Sequence, residues 1–133
     1  ASDLAKELFS KKEPSFIQLK GTLGAGKTAF ARGFIRGWLS ASNEAVPNIV
    51  SPTFTIVQTY GKNKPLAHFD LYRLESFSEL EAIGYEQYFY EFSCCLVEWL
   101  EKIPEALTVA PKQRLVFTIT IGEDSKRTIN QDQ

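Results

Sequence analysis

The run Gly21-Thr-Leu-Gly-Ala-Gly-Lys-Thr28 fills the spacing G-x-x-x-x-G-K-[ST] at every position. Residues of these types at this spacing can hold a polyphosphate. Gly21, Gly24 and Gly26 permit positive φ and carry no Cβ, so successive backbone N–H groups, that of Ala25 among them, can converge on phosphate oxygens. A helix opening near Gly26 aims its unpaired N–H groups and positive dipole end at the same point, with Ala29 in its first turn. Lys27 offers a mobile ammonium for the outer phosphates, and the Thr28 hydroxyl is the expected ligand of a Mg²⁺ ion bridging them. A turn that merely opens a helix would not require the Gly-Lys-Thr ending. Gly21, Gly24, Ala25, Gly26, Lys27, Thr28 and Ala29 are therefore the candidate nucleotide-contacting residues.

A metal-bridged phosphate also needs carboxylates, and two are well spaced to supply them. The apolar run Cys94-Cys-Leu-Val97 ends in Glu98-Trp99, the pattern of a buried strand that delivers an acid beside a phosphate loop. Asp70 ends a second run, Pro65 to Leu71. Mg²⁺ takes one or two protein carboxylates and keeps waters and phosphate oxygens for the rest of its shell. Glu98 closes the more apolar strand and is assigned to the metal or to a metal-bound water. Asp70 is then the candidate for orienting the attacking water or supporting the metal's ligands, and Thr53 for a switch-type sensor of the γ-phosphate. With Lys27, these two form the candidate catalytic set. Period-two alternation puts Leu66, His68, Asp70 and Tyr72 on one face. The lone histidine reads as a half-buried strand residue bonded to a carboxylate rather than as a base, because phosphoryl transfer needs little proton chemistry.

Positioning these groups requires a strand, a loop and a helix in that order. Phe16-Ile-Gln-Leu19 is the expected strand, and Ala29 to Leu39 the helix, with Phe30, Phe34 and Trp38 on one stripe. Gly33 and Gly37 inside it each cost about 1 kcal/mol relative to Ala, which suggests a close-packed neighbour. Ser2-Asp3 caps an earlier short helix that carries Leu4, Ala5, Leu8 and Phe9. After a loop from Ser40 to Pro47, Ser51-Pro52 presents Thr53 just before a strand from Phe54 to Tyr60. A turn at Gly61 to Lys64 and a returning strand, Pro65 to Leu71, complete an antiparallel hairpin. This order resembles that of a nucleotide switch, but Asn63-Lys64-Pro65-Leu66 lacks the acid of the guanine-reading Asn-Lys-x-Asp, which weakens a GTPase reading. Ser76-Phe-Ser-Glu79 has capping-box spacing for a helix stopped by Gly84. Pro104 and Pro111 bracket an expected irregular connection. Arg114 to Ile121 alternates as a strand, Gly122 to Ser125 turns back toward Thr128-Ile129, and the last residues read as a frayed tail.

Composition narrows the class. At 133 residues, 44% hydrophobic and 13% aromatic, the chain 1–133 is expected to form a single domain with a proper core. A formal net charge of −1 with scattered basic residues gives no footprint for holding nucleic acid unaided. Cys94 and Cys95 are adjacent in an apolar run, which is neither a disulfide framework nor a metal spacing and suits two buried thiols in a reducing compartment. No stretch reaches membrane-spanning length, so a cytoplasmic protein without membrane partners is expected. The chain begins at Ala1 without a methionine, and further N-terminal residues are expected.

Taken together, Gly21 to Thr28, Ser51-Pro-Thr-Phe54, His68-Phe-Asp-Leu-Tyr-Arg73, Leu80 to Gly84 and Leu96-Val-Glu-Trp99 resemble the bacterial TsaE family, also called YjeE. The likeness runs over nearly the whole chain. It implies an α/β fold of the P-loop NTPase class: a central parallel sheet with antiparallel flanking strands and helices on both faces. It also implies an ATP- and Mg²⁺-dependent ATPase that works with TsaB and TsaD, and through them with tRNA, in making the threonylcarbamoyladenosine modification of tRNAs reading codons that begin with A. The family's Mg²⁺ ligands are the P-loop Thr and the Glu of the Glu-Trp pair, here Thr28 and Glu98. Thr22 stands where the family commonly has Asp, Ala29 where a second Thr is usual, and Ala1 near where a Ser or Thr meets the adenine. Two other readings compete with the ATPase: a nucleotide-dependent protein-binding switch whose hydrolysis is incidental, and a small-molecule kinase, which would need an acceptor site and usually a lid.

Overall fold

The computed structural model describes residues 1–22, 26–121 and 127–132. The described elements, in chain order, are α1 (Ser2–Phe9), β1 (Ser15–Lys20), α2 (Lys27–Ala41), β2 (Val57–Tyr60), β3 (Leu66–Asp70), α3 (Phe77–Ile83), α4 (Tyr85–Tyr90), β4 (Cys94–Glu98), a 3₁₀ turn (Leu100–Lys102), α5 (Pro104–Val109), β5 (Leu115–Ile121) and β6 (Arg127–Asp132). The strands form one mixed sheet in the order β2-β3-β4-β1-β5-β6. β3, β4, β1 and β5 run parallel, while β2 and β6 pair antiparallel at the two edges.

The strands β3 and β4 are buried at every position, as expected of parallel strands covered on both faces. Alternation divides their side chains between two cores. Ile17, Leu19, Leu66, Cys94, Leu96, Phe117 and Ile119 pack with Ala5 and Leu8 of α1 and with Phe30, Phe34, Ile35 and Trp38 of α2. Phe16, Ala67, Phe69, Cys95 and Val97 pack instead with Leu80 of α3, Phe89 of α4 and Ala106 of α5. Each fully buried Leu, Ile or Phe contributes about 1.5–3 kcal/mol over its exposed state. The Trp38 indole meets no polar penalty, because Nε1 donates to the Lys64 carbonyl at 2.8 Å. Gly37 lets α1 lie against α2: a Cβ there would stand 2.6 Å from the Ser2 carbonyl oxygen.

Five expectations from the sequence change. The hairpin strand begins at Val57 rather than Phe54, because Pro52 to Ile56 forms a single helical turn closed by Ile56 N–H to the Pro52 carbonyl at 2.6 Å. Pro104 starts a helix rather than an irregular connection, at the first helical position where its missing N–H costs nothing. The tail is not frayed: Arg127–Asp132 pairs with β5 from Ile121↔Arg127 to Val116↔Asp132. The cap of α1 is Ala1, with Asp3 in the first turn, and no capping side chain bonds its N-terminus. Ser76 does stand at the N-cap of α3, but its Oγ pairs with Ser78 Oγ at 2.8 Å instead of with backbone. Gly84 ends α3 at φ 81° as expected. The turn expected from Gly122 to Ser125 lies outside the described residues.

Candidate functional site

Parallel register brings three strand ends together. Leu19 and Asp70 both pair with Glu98, so the carboxyl ends of β1, β3 and β4 are level. His68, Asp70 and Glu98 share the face of the sheet that α2 covers, by their parity with Leu66 and Leu96. Immediately beyond β1 come Gly21 and Thr22, and the described chain resumes at Gly26, whose φ of 99° is a left-handed conformation that favours glycine. Lys27 and Thr28 open α2, where no side chain caps the helix. The first N–H groups of a 15-residue helix are thereby left for an external acceptor. Gly24 and Ala25 of the candidate set lie outside the described residues. Gly21, Gly26, Lys27, Thr28 and Ala29 lie within them.

Among the described residues the buried polar or charged side chains are Gln18, Lys27, His68, Asp70 and Glu98. Gln18 accepts from Arg114 Nε at 3.2 Å, away from the others. The remaining four belong to one end of the sheet. Charged groups are expensive to bury unless they are paired or held for a task, so this concentration marks the site.

The Lys27 ammonium donates to the Gly21 carbonyl and, at 3.1 Å, to that of Thr22, and it sits 4.0 Å from the centre of the Trp99 ring. Burial pushes its pKa below the ordinary value, and the negative charges of Glu98, Glu101 and Asp70 push back against that shift. The second influence reflects the nearness of the ammonium to those acids. Trp99 holds its position with φ at 63°, a left-handed conformation uncommon outside glycine, directly after Glu98. Its ring also lies 5.1 Å from that of Tyr72, tilted by 54°.

Asp70 and Glu98 have different partners. Asp70 Oδ1 accepts the Tyr72 N–H at 2.9 Å, and Oδ2 accepts the Thr53 hydroxyl at 3.1 Å. Thr53 also shares a 2.7 Å bond with Ser51 Oγ. The turn at 52–56 makes this meeting possible: Ile56, at φ 72°, redirects the chain, and its carbonyl receives the Asp70 N–H at 2.9 Å. The same turn lifts Phe54 into solvent, 83% exposed, where the Arg73 guanidinium lies 4.8 Å from its ring. Glu98 Oε2 pairs with His68 Nε2 at 2.6 Å. His68 is thus bonded to a carboxylate as expected, that of the neighbouring strand, but is fully buried rather than half-buried. Two clefts of about 330 and 410 Å³ lie elsewhere, at the amino end of β1 around Glu13 to Phe16 and Gln113.

The family model described as "Threonylcarbamoyl adenosine biosynthesis protein TsaE" matches residues 1–129. The chain belongs to the TsaE family. Similar proteins named "tRNA threonylcarbamoyladenosine biosynthesis protein TsaE" occur in Bacillus subtilis, 41% identical over 89% of this chain and 69% of the relative, and in Treponema pallidum, 34% identical over 89% and 82%. In Haemophilus influenzae the identity is 44%, over 68% of this chain and 57% of the relative. The chain therefore spans between somewhat over half and about four fifths of these relatives' lengths. Among the described residues no helix is long and apolar enough to cross a membrane.

Two members of this TsaE-family site escaped the sequence. Glu101 has a buried Oε1 without a partner among the described residues, and its charge acts on Lys27. An acid three residues after Glu98 is a weak signal, since only the 3₁₀ turn carries it back toward the lysine. The pairing of His68 with Glu98 depends on strand order, which one sequence does not reveal.

Proposed function

We propose that this TsaE-family chain is a Mg²⁺-dependent ATPase acting in the cytoplasm with TsaB and TsaD, in formation of threonylcarbamoyladenosine on tRNAs that read codons beginning with A. The observation that carries the reading is the convergence of buried Lys27, His68, Asp70 and Glu98 at the strand ends beside the open N-terminus of α2. A densely charged ligand at that helix end would compensate the concentration of charge there.

The donor set suits a hard divalent cation. Oxygen ligands are what Mg²⁺ takes, and His68 engages Glu98 through Oε2, so Oε1 is the oxygen that would face the ion. Thr28 and Glu98 would hold the ion, which supplies neutralisation of charge on the phosphates. The loop from Gly21 to Gly26 and the first N–H groups of α2 bind phosphate oxygens. Lys27 exchanges the Gly21 and Thr22 carbonyls for them, with Trp99 limiting its swing. Asp70 orients the attacking water, and Thr53, released from Asp70, reads the γ-phosphate.

Hydrolysis measured with and without TsaB, TsaD and tRNA tests this. Turnover that rises with the partners and is lost in Lys27→Ala supports it. Partners that modify tRNA through repeated cycles with Lys27→Ala in place would overturn it. The latch of Thr53 on Asp70 favours a second reading, in which nucleotide orders this segment for docking and hydrolysis is incidental. Modification that continues with a non-hydrolysable ATP analogue would select it.

A further inference from the structure

We propose that His68 is the positioning residue for the Glu98 carboxylate, holding Oε2 so that Oε1 is presented to a divalent cation. The proposal rests on the Mg²⁺-dependent reading above and gives a role to a residue that reading leaves without one.

The backbone of Glu98 is held from both sides. Leu19 of β1 and Asp70 of β3 flank it in register, and its carbonyl accepts the Leu71 N–H at 3.0 Å. That leaves the side-chain torsions as the remaining freedom, and an unrestrained glutamate rotates among several staggered wells. His68 removes this freedom. Its Nε2 lies 2.6 Å from Oε2, and the two side chains are 1% and 3% exposed, so water does not compete for either atom. Against a carboxylate oxygen, which only accepts, Nε2 carries the proton and donates. A short bond to a carboxylate is among the stronger hydrogen bonds, and burial strengthens it further.

The alternative, that His68 merely satisfies itself in the core, fits the structure less well. Nδ1 is buried and finds no partner among the described residues. A histidine kept only for packing would be replaced at less cost by Leu, which has no polar atom to leave unpaired. Retaining a half-satisfied imidazole is accounted for if the satisfied half is the useful one. The reach is also specific: β3 and β4 pair His68 with Leu96, so the ring crosses diagonally to the residue two places along β4 on the same face. Outer hydrogen-bond partners of this kind orient metal ligands, and their loss costs about 10–100-fold in metal affinity.

The test reads metal dependence separately from turnover. Binding of a fluorescent non-hydrolysable ATP analogue is titrated first in EDTA and then against Mg²⁺, for the wild-type chain and for His68→Gln, His68→Asn, His68→Leu and Glu98→Gln. The Gln amide nitrogen can occupy the place of Nε2, whereas the Asn amide falls short and Leu has no donor. In His68→Leu and His68→Asn the Mg²⁺ midpoint should rise at least about tenfold while affinity in EDTA is unchanged, and His68→Gln should restore the midpoint. Thermal melting checks that each variant is folded. If His68→Leu does not fold, the Gln and Asn pair carries the comparison. Unchanged midpoints in the folded variants, or a Gln variant as impaired as the Asn variant, overturn the proposal. A wild-type chain with no Mg²⁺-dependent rise in affinity, matched by Glu98→Gln, instead overturns the Mg²⁺ reading itself.

Discussion

The Thr53 hydroxyl donates to Asp70 Oδ2 at 3.1 Å across a turn that places a β-branched residue, Ile56, at positive φ. The bond ties the segment after Pro52 to the end of β3, so Asp70 holds the segment here; on the proposed reading it orients water once Thr53 leaves. Asp70→Ala should therefore lower turnover by about 100-fold or more while nucleotide affinity changes little. Parallel titration and hydrolysis assays check the split, and a loss of affinity as large as the loss of turnover would refute it.

Gly33 and Gly37 occupy successive turns of α2, yet Ala should act oppositely at the two positions. A Cβ at Gly33 meets only Ala1 Cβ, at 3.5 Å, an ordinary contact, so Gly33→Ala should stabilise by up to about 1 kcal/mol through helix propensity. At Gly37 the new atom would stand 2.6 Å from the Ser2 carbonyl oxygen and 2.8 Å from Ser2 Cα, and α1 must shift to admit it. Gly37→Ala should destabilise by about 1–3 kcal/mol. Urea denaturation of the two variants decides the signs.

The contrast between those glycines and the site shows what one sequence can carry. The strand before the glycine-rich run and the helix after it were legible because their signals are local: an apolar run, glycines and a helical stripe within a short span. The place of Glu98 at the end of a buried strand was legible because the run before it is continuously apolar. His68 to Glu98 was not, since the bond depends on β3 and β4 being neighbours, and alternation along β3 pointed to Asp70 instead. The start of β2 was misplaced because Ile56 adopts a conformation its residue type disfavours. The strand β6 was hidden by its polar composition, which suits an edge but carries no apolar alternation.

Cys94 and Cys95 point to opposite faces of β4, one into each core. Burial raises both thiol pKa values, that of Cys95 further helped by its neighbour, so neither yields thiolate in the folded chain near neutral pH. Both should resist a thiol reagent in the native protein and react together as urea unfolds it. One cysteine reacting early would show that its face of the sheet opens independently of the other.

Lys27 gives the protein a pH signature that a mutant should lack. Its pKa in the folded, nucleotide-free chain lies below 10.5, chiefly through burial. The unfolded chain, with the ordinary value, therefore binds more protons between the folded pKa and 10.5, and stability gains from this residue as pH rises through that window. The contribution is complete above 10.5 and is lost as pH falls through the folded value. At neutral pH the buried ammonium opposes folding, so Lys27→Met should unfold at a higher urea concentration than the wild-type chain there. That advantage should shrink as pH approaches 10.5. Nucleotide binding should be severely weakened in the same variant, because the methionine sulfur cannot replace the charge. A stability difference that stayed constant across the window would show that the ammonium is better solvated than its surroundings indicate.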